Sequence, residues 1–148
     1  MYADMVADLF HYGHVEFLRK ARALGDYLLV GIHHDDPLVA YKRRPILTME
    51  ERVACVAGCR YVGEVLPEAP LKVTREWIER HAIDVVVHGD DFSDEHLDYY
   101  YKVPIDMGIF RTVPYTRGIS TSEIVRRCQE ATASCCRQGT LAEGSSET

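Results

Sequence analysis

The chain is predicted to form an α/β domain in which a five-stranded parallel sheet carries helices on both faces. Three observations predict it. Short apolar runs rich in β-branched residues alternate with segments of helical spacing from Tyr2 to about Ala131. The capping-box pattern, Ser or Thr followed three residues later by Glu, opens two of the helical segments, at Thr48–Glu51 and Ser120–Glu123. His11, His33 and His88 stand where strands end, which is where the ligand crevice of such a sheet lies.

Taken in order, Tyr2 to Val6 reads as the first strand. Val15, Phe17, Leu18, Ala21 and Leu24 then recur at helical spacing until Gly25 stops the helix, and His14 is expected to open it. The junction Asp8-Leu9-Phe10-His11-Tyr12-Gly13-His14 places two imidazoles at a strand-to-helix turn. Unpaired N–H groups and the helix dipole favour an anion there, and Gly13 has no side chain to hold a ligand off the backbone. Tyr27 to His33 is a near-continuous apolar run, as a strand buried on both faces requires. His33-His34-Asp35-Asp36-Pro37 ends it; adjacent residues at a strand end point in different directions, so a polar loop is favoured over a metal site.

Lys42-Arg43-Arg44-Pro45 is a basic loop, non-helical before its proline. A helix follows from Thr48 to about Cys59. Tyr61 to Leu66 reads as a strand, Thr74 to His81 as a helix capped by Thr74 with Trp77 and Ile78 on its packed side, and Ile83 to His88 as a strand. In the stretch from Phe92 to Gly108, Ser93 or Asp94 can cap a helix through Tyr99-Tyr100-Tyr101, and Pro104 can start a short turn. Ile109 to Pro114 supplies the fifth strand. Residues 133–148 lack apolar periodicity and are rich in Ser, Gly, Glu and Thr, so a disordered tail is expected.

With 148 residues, 47% of them hydrophobic, the chain suffices for one domain with a core. No apolar run approaches the roughly 20 residues of a membrane span, and no signal sequence opens the chain, so a cytoplasmic location is expected. The five cysteines lack paired Cys-x-x-Cys spacing, which points away from a disulfide framework or a structural zinc site. Cys55 and Cys59 share a helix face and read as small core thiols. A formal charge of −6 argues against a general nucleic-acid surface.

Asp8 to His14 resembles the HxGH signature of the nucleotidyltransferase superfamily, and Tyr2-Ala3-Asp4 followed by Asp8-Leu9-Phe10-His11 resembles its cytidylyltransferase branch. Gly118-Ile119-Ser120-Thr121-Ser122 resembles the GISTS part of that branch's RTxGISTS motif. Cys59-Arg60-Tyr61-Val62-Gly63-Glu64-Val65, Ala69-Pro70 and His88-Gly89-Asp90-Asp91 resemble enzymes that activate phosphocholine, phosphoethanolamine or glycerol phosphate with CTP. The likeness runs from residue 2 to about residue 130.

This resemblance implies a single Rossmann-like catalytic domain over residues 1–132. It implies transfer of CMP from CTP to a phosphorylated alcohol, phosphoethanolamine or phosphocholine first, with release of pyrophosphate. The CDP-alcohol would serve phospholipid or surface-polymer synthesis. His11 and His14 would donate to the phosphates. Lys42, ahead of the Glu50-Glu51-Arg52 segment, resembles the lysine that bridges nucleotide and acceptor phosphates. The backbone at Val6 and Ala7, with Asp8 and His14, would run beside the nucleotide. His88, Gly89 and Asp90 would line ribose and base; Tyr115, Thr116, Arg117, Gly118, Ile119, Ser120, Thr121 and Ser122 would close over the triphosphate. Lys42, Arg60, Leu71 and Tyr99 would meet the acceptor. Mg²⁺ carried by the CTP phosphates and a homodimer are likewise implied, with no dedicated metal ligands, no nucleic-acid partner and no membrane-binding helix.

The sequence departs from the family pattern at several positions. Met5 stands where the family usually has Gly, Ala7 where it has an aromatic, Gly63 for the usual Asp and Tyr115 for Arg, with Arg117 at the variable position. Leu71 stands where choline-specific relatives have Trp, removing one wall of a cage for a quaternary ammonium. An adenylyltransferase and a nucleotide-binding module without catalysis remain the alternatives.

Overall fold

Five parallel strands form one sheet: β1 (Tyr2–Met5), β2 (Leu29–His33), β3 (Glu64–Ala69), β4 (Val86–Gly89) and β5 (Phe110–Val113). The computed structural model describes residues 1–35 and 44–139, and the strands run in the order β3-β2-β1-β4-β5. Strand order reverses between β1 and its two neighbours, so a crevice opens beyond the carboxyl ends of β1 and β4.

The helices are α1 (Tyr12–Arg22), α2 (Met49–Ala57), α3 (Arg75–Arg80), α4 (Asp94–Tyr100), α5 (Lys102–Asp106) and α6 (Thr121–Gly139). Side chains alternate across a strand, so each strand feeds both faces of the sheet. On one face Ala3, Val30, Ile32 and Val87 pack against Leu18 and Ala21 of α1 and Val56 of α2. Truncating the fully buried Leu18 to Ala would cost about 2–5 kcal/mol in lost contacts and residual cavity. On the other face Tyr2, Leu66 and Val86 pack against Ile78 of α3 and Tyr101, which joins α4 to α5. The same alternation turns Asp4 towards this second face, two residues on from Tyr2, where the Tyr101 hydroxyl donates to its Oδ1 (2.5 Å).

Local chemistry sets most boundaries. Thr48 Oγ1 accepts from the Glu51 N–H and the Thr48 N–H donates to Glu51 Oε2, a complete capping box at α2. Ser120 accepts from the Glu123 N–H (3.1 Å), but the Glu123 carboxylate turns instead to Arg126 and Arg127. Those guanidiniums hold its carboxyl down to about 2, and they outcompete a single backbone N–H. Arg126 also pairs with Glu130, and this ladder with the helix-favouring Ala131 and Ala133 carries α6 on. The helix reaches Gly139, so residues 133–139 are helical where a disordered tail was expected; residues 140–148 lie outside the described residues.

The third strand also differs from expectation, beginning at Glu64 rather than Tyr61. Val62 N–H donates to the Cys59 carbonyl and Gly63 N–H to the Leu28 carbonyl, so residues 59–63 turn before they can pair as a strand. The Tyr27 ring lies against Gly63; an added Cβ there would sit 2.6 Å from Tyr27 Cε2, which explains the glycine. Pro104, expected to start a turn, is buried inside α5.

Candidate active site

The expected opening of α1 at His14 is two residues late, and the difference carries chemistry. His11 is the N-cap: its Nδ1 accepts from the Gly13 N–H (3.1 Å), while the His11 N–H donates to His14 Nδ1 (3.2 Å). The two imidazoles thus form a reciprocal cap of the kind Ser and Glu usually make. Since both Nδ1 atoms accept from backbone N–H groups, the proton of each neutral ring resides on Nε2. Burial lowers the His11 pKa; burial and then the neighbouring His11, opposed by Asp8, lower that of His14 to about 4. At neutral pH both rings are uncharged Nε2–H donors, with centroids 4.0 Å apart.

Gly13 makes this arrangement possible. A Cβ there would sit 2.9 Å from His11 Cε1 and 3.2 Å from Ile119 Cγ2. The glycine therefore leaves room for the His11 ring between α1 and the Gly118–Ser122 segment, a reason that spacing alone does not reveal. The connection before it is strained: Ala7 and Leu9 have φ of 59° and 47°. Asp8, buried between them, holds the strained turn by accepting from the N–H groups of Ile46 (2.9 Å) and Leu47 (3.0 Å), and its carbonyl accepts from Thr121 Oγ1 (2.9 Å).

Arg52 is the second fastener. Fully buried, it donates to the carbonyls of Val6 (2.9 Å) and His33 (3.1 Å) and pairs with Asp35. One guanidinium thereby ties together the carboxyl ends of β1 and β2. Across the mouth, Lys20 of α1 donates to the Pro114 carbonyl (2.6 Å), and Asp90 Oδ1 accepts from the Tyr115 N–H (2.8 Å), which fixes the loop after β5.

These elements enclose a cleft of about 540 Å³. Of the residues expected at the site, Val6, Asp8, His11, His14, Leu71, His88, Gly89, Tyr115, Thr116, Ile119, Ser120, Thr121 and Ser122 line it. Ala7 is buried behind the wall, Asp90 acts through Tyr115, and Arg117 and Gly118 lie on the exposed outer turn. Arg60 is exposed beside the Tyr61 ring (5.6 Å), away from the cleft. Tyr99 also faces outward, with Lys72 Nζ 3.6 Å from its ring centroid. Successive residues of α4 point in different directions, so Tyr100 and Tyr101 line the cleft in its place. Lys42 lies outside the described residues.

Sequence reasoning missed Asp4, Met5, Phe17, Pro45, Asp91 and Phe92 as lining residues and placed His33 at a strand end by the crevice without giving it a role. His33 is buried, with Nε2 3.8 Å from Asp4 Oδ1. His88 stacks on Phe92 (4.2 Å) and tilts against Tyr101 (5.1 Å). The signal for this end of the cleft was present in Asp4, a carboxylate in an apolar strand. Among the described residues no group of three or more His, Cys, Asp or Glu side chains is placed to hold a metal, and no helix is long and apolar enough to cross a membrane.

A parallel sheet with paired neutral imidazoles at the end of its first strand, faced by the hydroxyl-rich start of α6, defines a Rossmann-like nucleotidyltransferase fold. The chain belongs to the cytidylyltransferase-like family, whose model matches residues 4–127. It is 49% identical over 134 residues to the ethanolamine-phosphate cytidylyltransferase of Arabidopsis thaliana, a match covering 86% of this chain and 32% of that protein. It is 46% identical to the enzyme of the same name from Dictyostelium discoideum (86% and 37% covered) and 40% identical to choline-phosphate cytidylyltransferase A of Mus musculus (86% and 35%). The chain thus spans about a third of the length of these relatives. In fold it is similar to the lipopolysaccharide core biosynthesis protein of Thermoplasma volcanium, with TM-score 0.63, 22% identity, and 80% of this chain and 96% of that one covered.

Proposed function

We propose that this chain binds CTP in the cleft and transfers CMP to the phosphate of a phosphorylated amino alcohol. An oxygen of the acceptor phosphate attacks the α-phosphorus of CTP in line, the bond to the bridging β-phosphate oxygen breaks, and pyrophosphate departs. No enzyme nucleophile is required, so catalysis consists of positioning the two anions and stabilising the charge that grows between them. His11 and His14 donate Nε2–H to that charge. Their caps hold them in place before the substrate arrives, so little reorganisation is needed. Ser120, Thr121 and Ser122 at the start of α6 offer hydroxyls and backbone N–H groups to the triphosphate. Lys42 supplies the bridging cation between the two phosphates.

The observation that carries this reading is the pairing of the imidazole cap with a buried carboxylate across one cleft. The cap suits phosphate. Asp4, 3% exposed, bonded to the Tyr101 hydroxyl and sharing the cleft wall with Tyr100 and Phe92, suits the cationic end of an amino alcohol. The names of the relatives and the match to their motifs support CTP as donor. The family resemblance supports a Mg²⁺ that arrives on the triphosphate oxygens; once bound it would neutralise phosphate charge. The family resemblance supports a cytoplasmic homodimer.

Pyrophosphate release measured over CTP and ATP, crossed with phosphoethanolamine, phosphocholine and glycerol phosphate, tests the proposal. CTP with an amino alcohol phosphate should give the highest kcat/KM, and mass spectrometry should find the CDP-alcohol. Preference for ATP, or for glycerol phosphate, whose alcohol end carries no positive charge, would refute it.

A further inference from the structure

We propose that His33 is a specificity-determining residue for the acceptor: together with Asp4 it forms a two-acceptor cradle that takes a primary ammonium and rejects a quaternary one. The inference rests on the transferase reading above and deepens it, because it names which amino alcohol the cleft is built to hold.

β2 pairs with β3 in regular parallel register from Leu29 to Gly31, opposite Glu64 to Leu66, but His33 pairs with Ala69. The extra residue of β3 is taken up around Glu68, whose φ is +57°, a bulge of the kind that re-aims side chains next to sites. The shift sets the Ala69 carbonyl 3.5 Å from His33 Nδ1. From the other side Arg52 holds the His33 carbonyl. The ring is thereby pinned at both ends of its residue, with Nε2 turned towards Asp4.

Chemistry then follows from the tautomer. The Ala69 carbonyl can only accept, so this contact is met when Nδ1 carries the proton, and in the neutral ring that tautomer leaves the Nε2 lone pair facing the cleft. At 3.8 Å from Asp4 Oδ1, that nitrogen is beyond hydrogen-bond distance and instead flanks the carboxylate. Asp4 Oδ1 is taken by the Tyr101 hydroxyl, while Oδ2 is buried without a hydrogen bond among the described residues, its polar neighbour being the likewise unpaired Tyr2 hydroxyl, which burial and the carboxylate keep protonated. A carboxylate oxygen so placed lacks its partner, and both it and His33 line the cleft. Two acceptors with net negative charge, side by side beneath apolar walls, match a ligand that brings positive charge and at least two N–H bonds. A primary ammonium has three. Each methyl group added to it removes one donor and adds bulk where the imidazole stands, and a quaternary ammonium leaves both Asp4 Oδ2 and His33 Nε2 unpaired. Sites built to hydrogen-bond a donor discriminate strongly against analogues lacking it.

The test is a methyl series run on the full chain with CTP: phosphoethanolamine, its N-methyl and N,N-dimethyl forms, and phosphocholine. For the wild type kcat/KM should fall with each methyl group and end at least about 10²-fold lower. His33→Ala should compress that span to less than about tenfold, acting mainly through KM for the acceptor and leaving KM for CTP unchanged. His33→Gln, which keeps an acceptor at similar reach, should restore part of the preference. A wild type indifferent to methylation overturns the assignment, as does a His33→Ala enzyme that loses all acceptors in equal proportion. If His33→Ala fails to fold, the wild-type series and His33→Gln decide the matter. The two readings fail differently: no pyrophosphate from CTP with any member of the series refutes the transferase function, whereas product formed without regard to methylation refutes only the role of His33.

Discussion

Replacing His11 separates two tasks that the structure gives to one side chain. Its Nδ1 caps α1 through the Gly13 N–H, and its Nε2–H is left for the phosphates. Asn is among the strongest N-caps, so His11→Asn should keep the helix start, while its shorter amide cannot carry an N–H to where the imidazole Nε2–H stands. His11→Ala removes both. Loss of an N-cap costs about 1 kcal/mol, which for a domain of this size lowers Tm by roughly 2–4 °C. Loss of one preorganised transition-state donor costs about 10²–10³ in turnover, or 2.7–4 kcal/mol. The expected pattern is a similar fall of kcat in both variants, a smaller change in KM for CTP, and a drop in Tm for Ala alone. Pyrophosphate release at saturating substrates and thermal melting read the two quantities independently. Near-normal turnover in His11→Asn would refute the donor role, and an Ala variant as stable as wild type would refute the cap.

Four further outcomes are expected. The His14 pKa is held near 4 in the folded chain against an ordinary 6.5, so the unfolded chain binds the extra proton and stability should fall as pH drops through that window; His14→Gln should flatten the fall in Tm, and an unchanged pH profile would count against the buried neutral ring. Gly13→Ala should depress kcat by about tenfold or more while costing only about 1 kcal/mol in urea unfolding, because the new Cβ displaces the His11 ring rather than the core. Arg52→Met should cost roughly 2–5 kcal/mol in the same unfolding measurement and weaken CTP binding by calorimetry, since the Val6 and His33 carbonyls lose their donor at the two strand ends. Lys42→Ala should lower kcat more than it weakens CTP binding, with Lys42→Arg restoring only part; loss of CTP affinity alone would remove the bridging role.

Much of this was legible before any fold was known, because it is written in local chemistry. The strand and helix alternation, the Thr48 box at α2 and the Thr74 cap at α3 depend on neighbours within a turn or two, and sequence spacing reports such neighbours. The two motifs at His11–His14 and Gly118–Ser122 were likewise readable, as was the crevice beyond the strand ends. What spacing cannot report is contact between distant residues. Gly13 is needed because Ile119 lies across from it, Tyr99 is excluded because helical rotation turns it outward, and α6 outruns its expected end because its ion pairs span successive turns. His33 read as the end of a strand; only the bulge opposite it and the alternation that turns Asp4 towards Tyr101 set an imidazole beside a buried carboxylate. The sequence determined which groups could hold phosphate, since a cap and a helix start are built from adjacent residues. The tertiary structure decided what lies at the other end of the cleft, since that wall is assembled from β1, β2 and the α4–α5 junction, and sequence neighbours do not record which of their side chains converge.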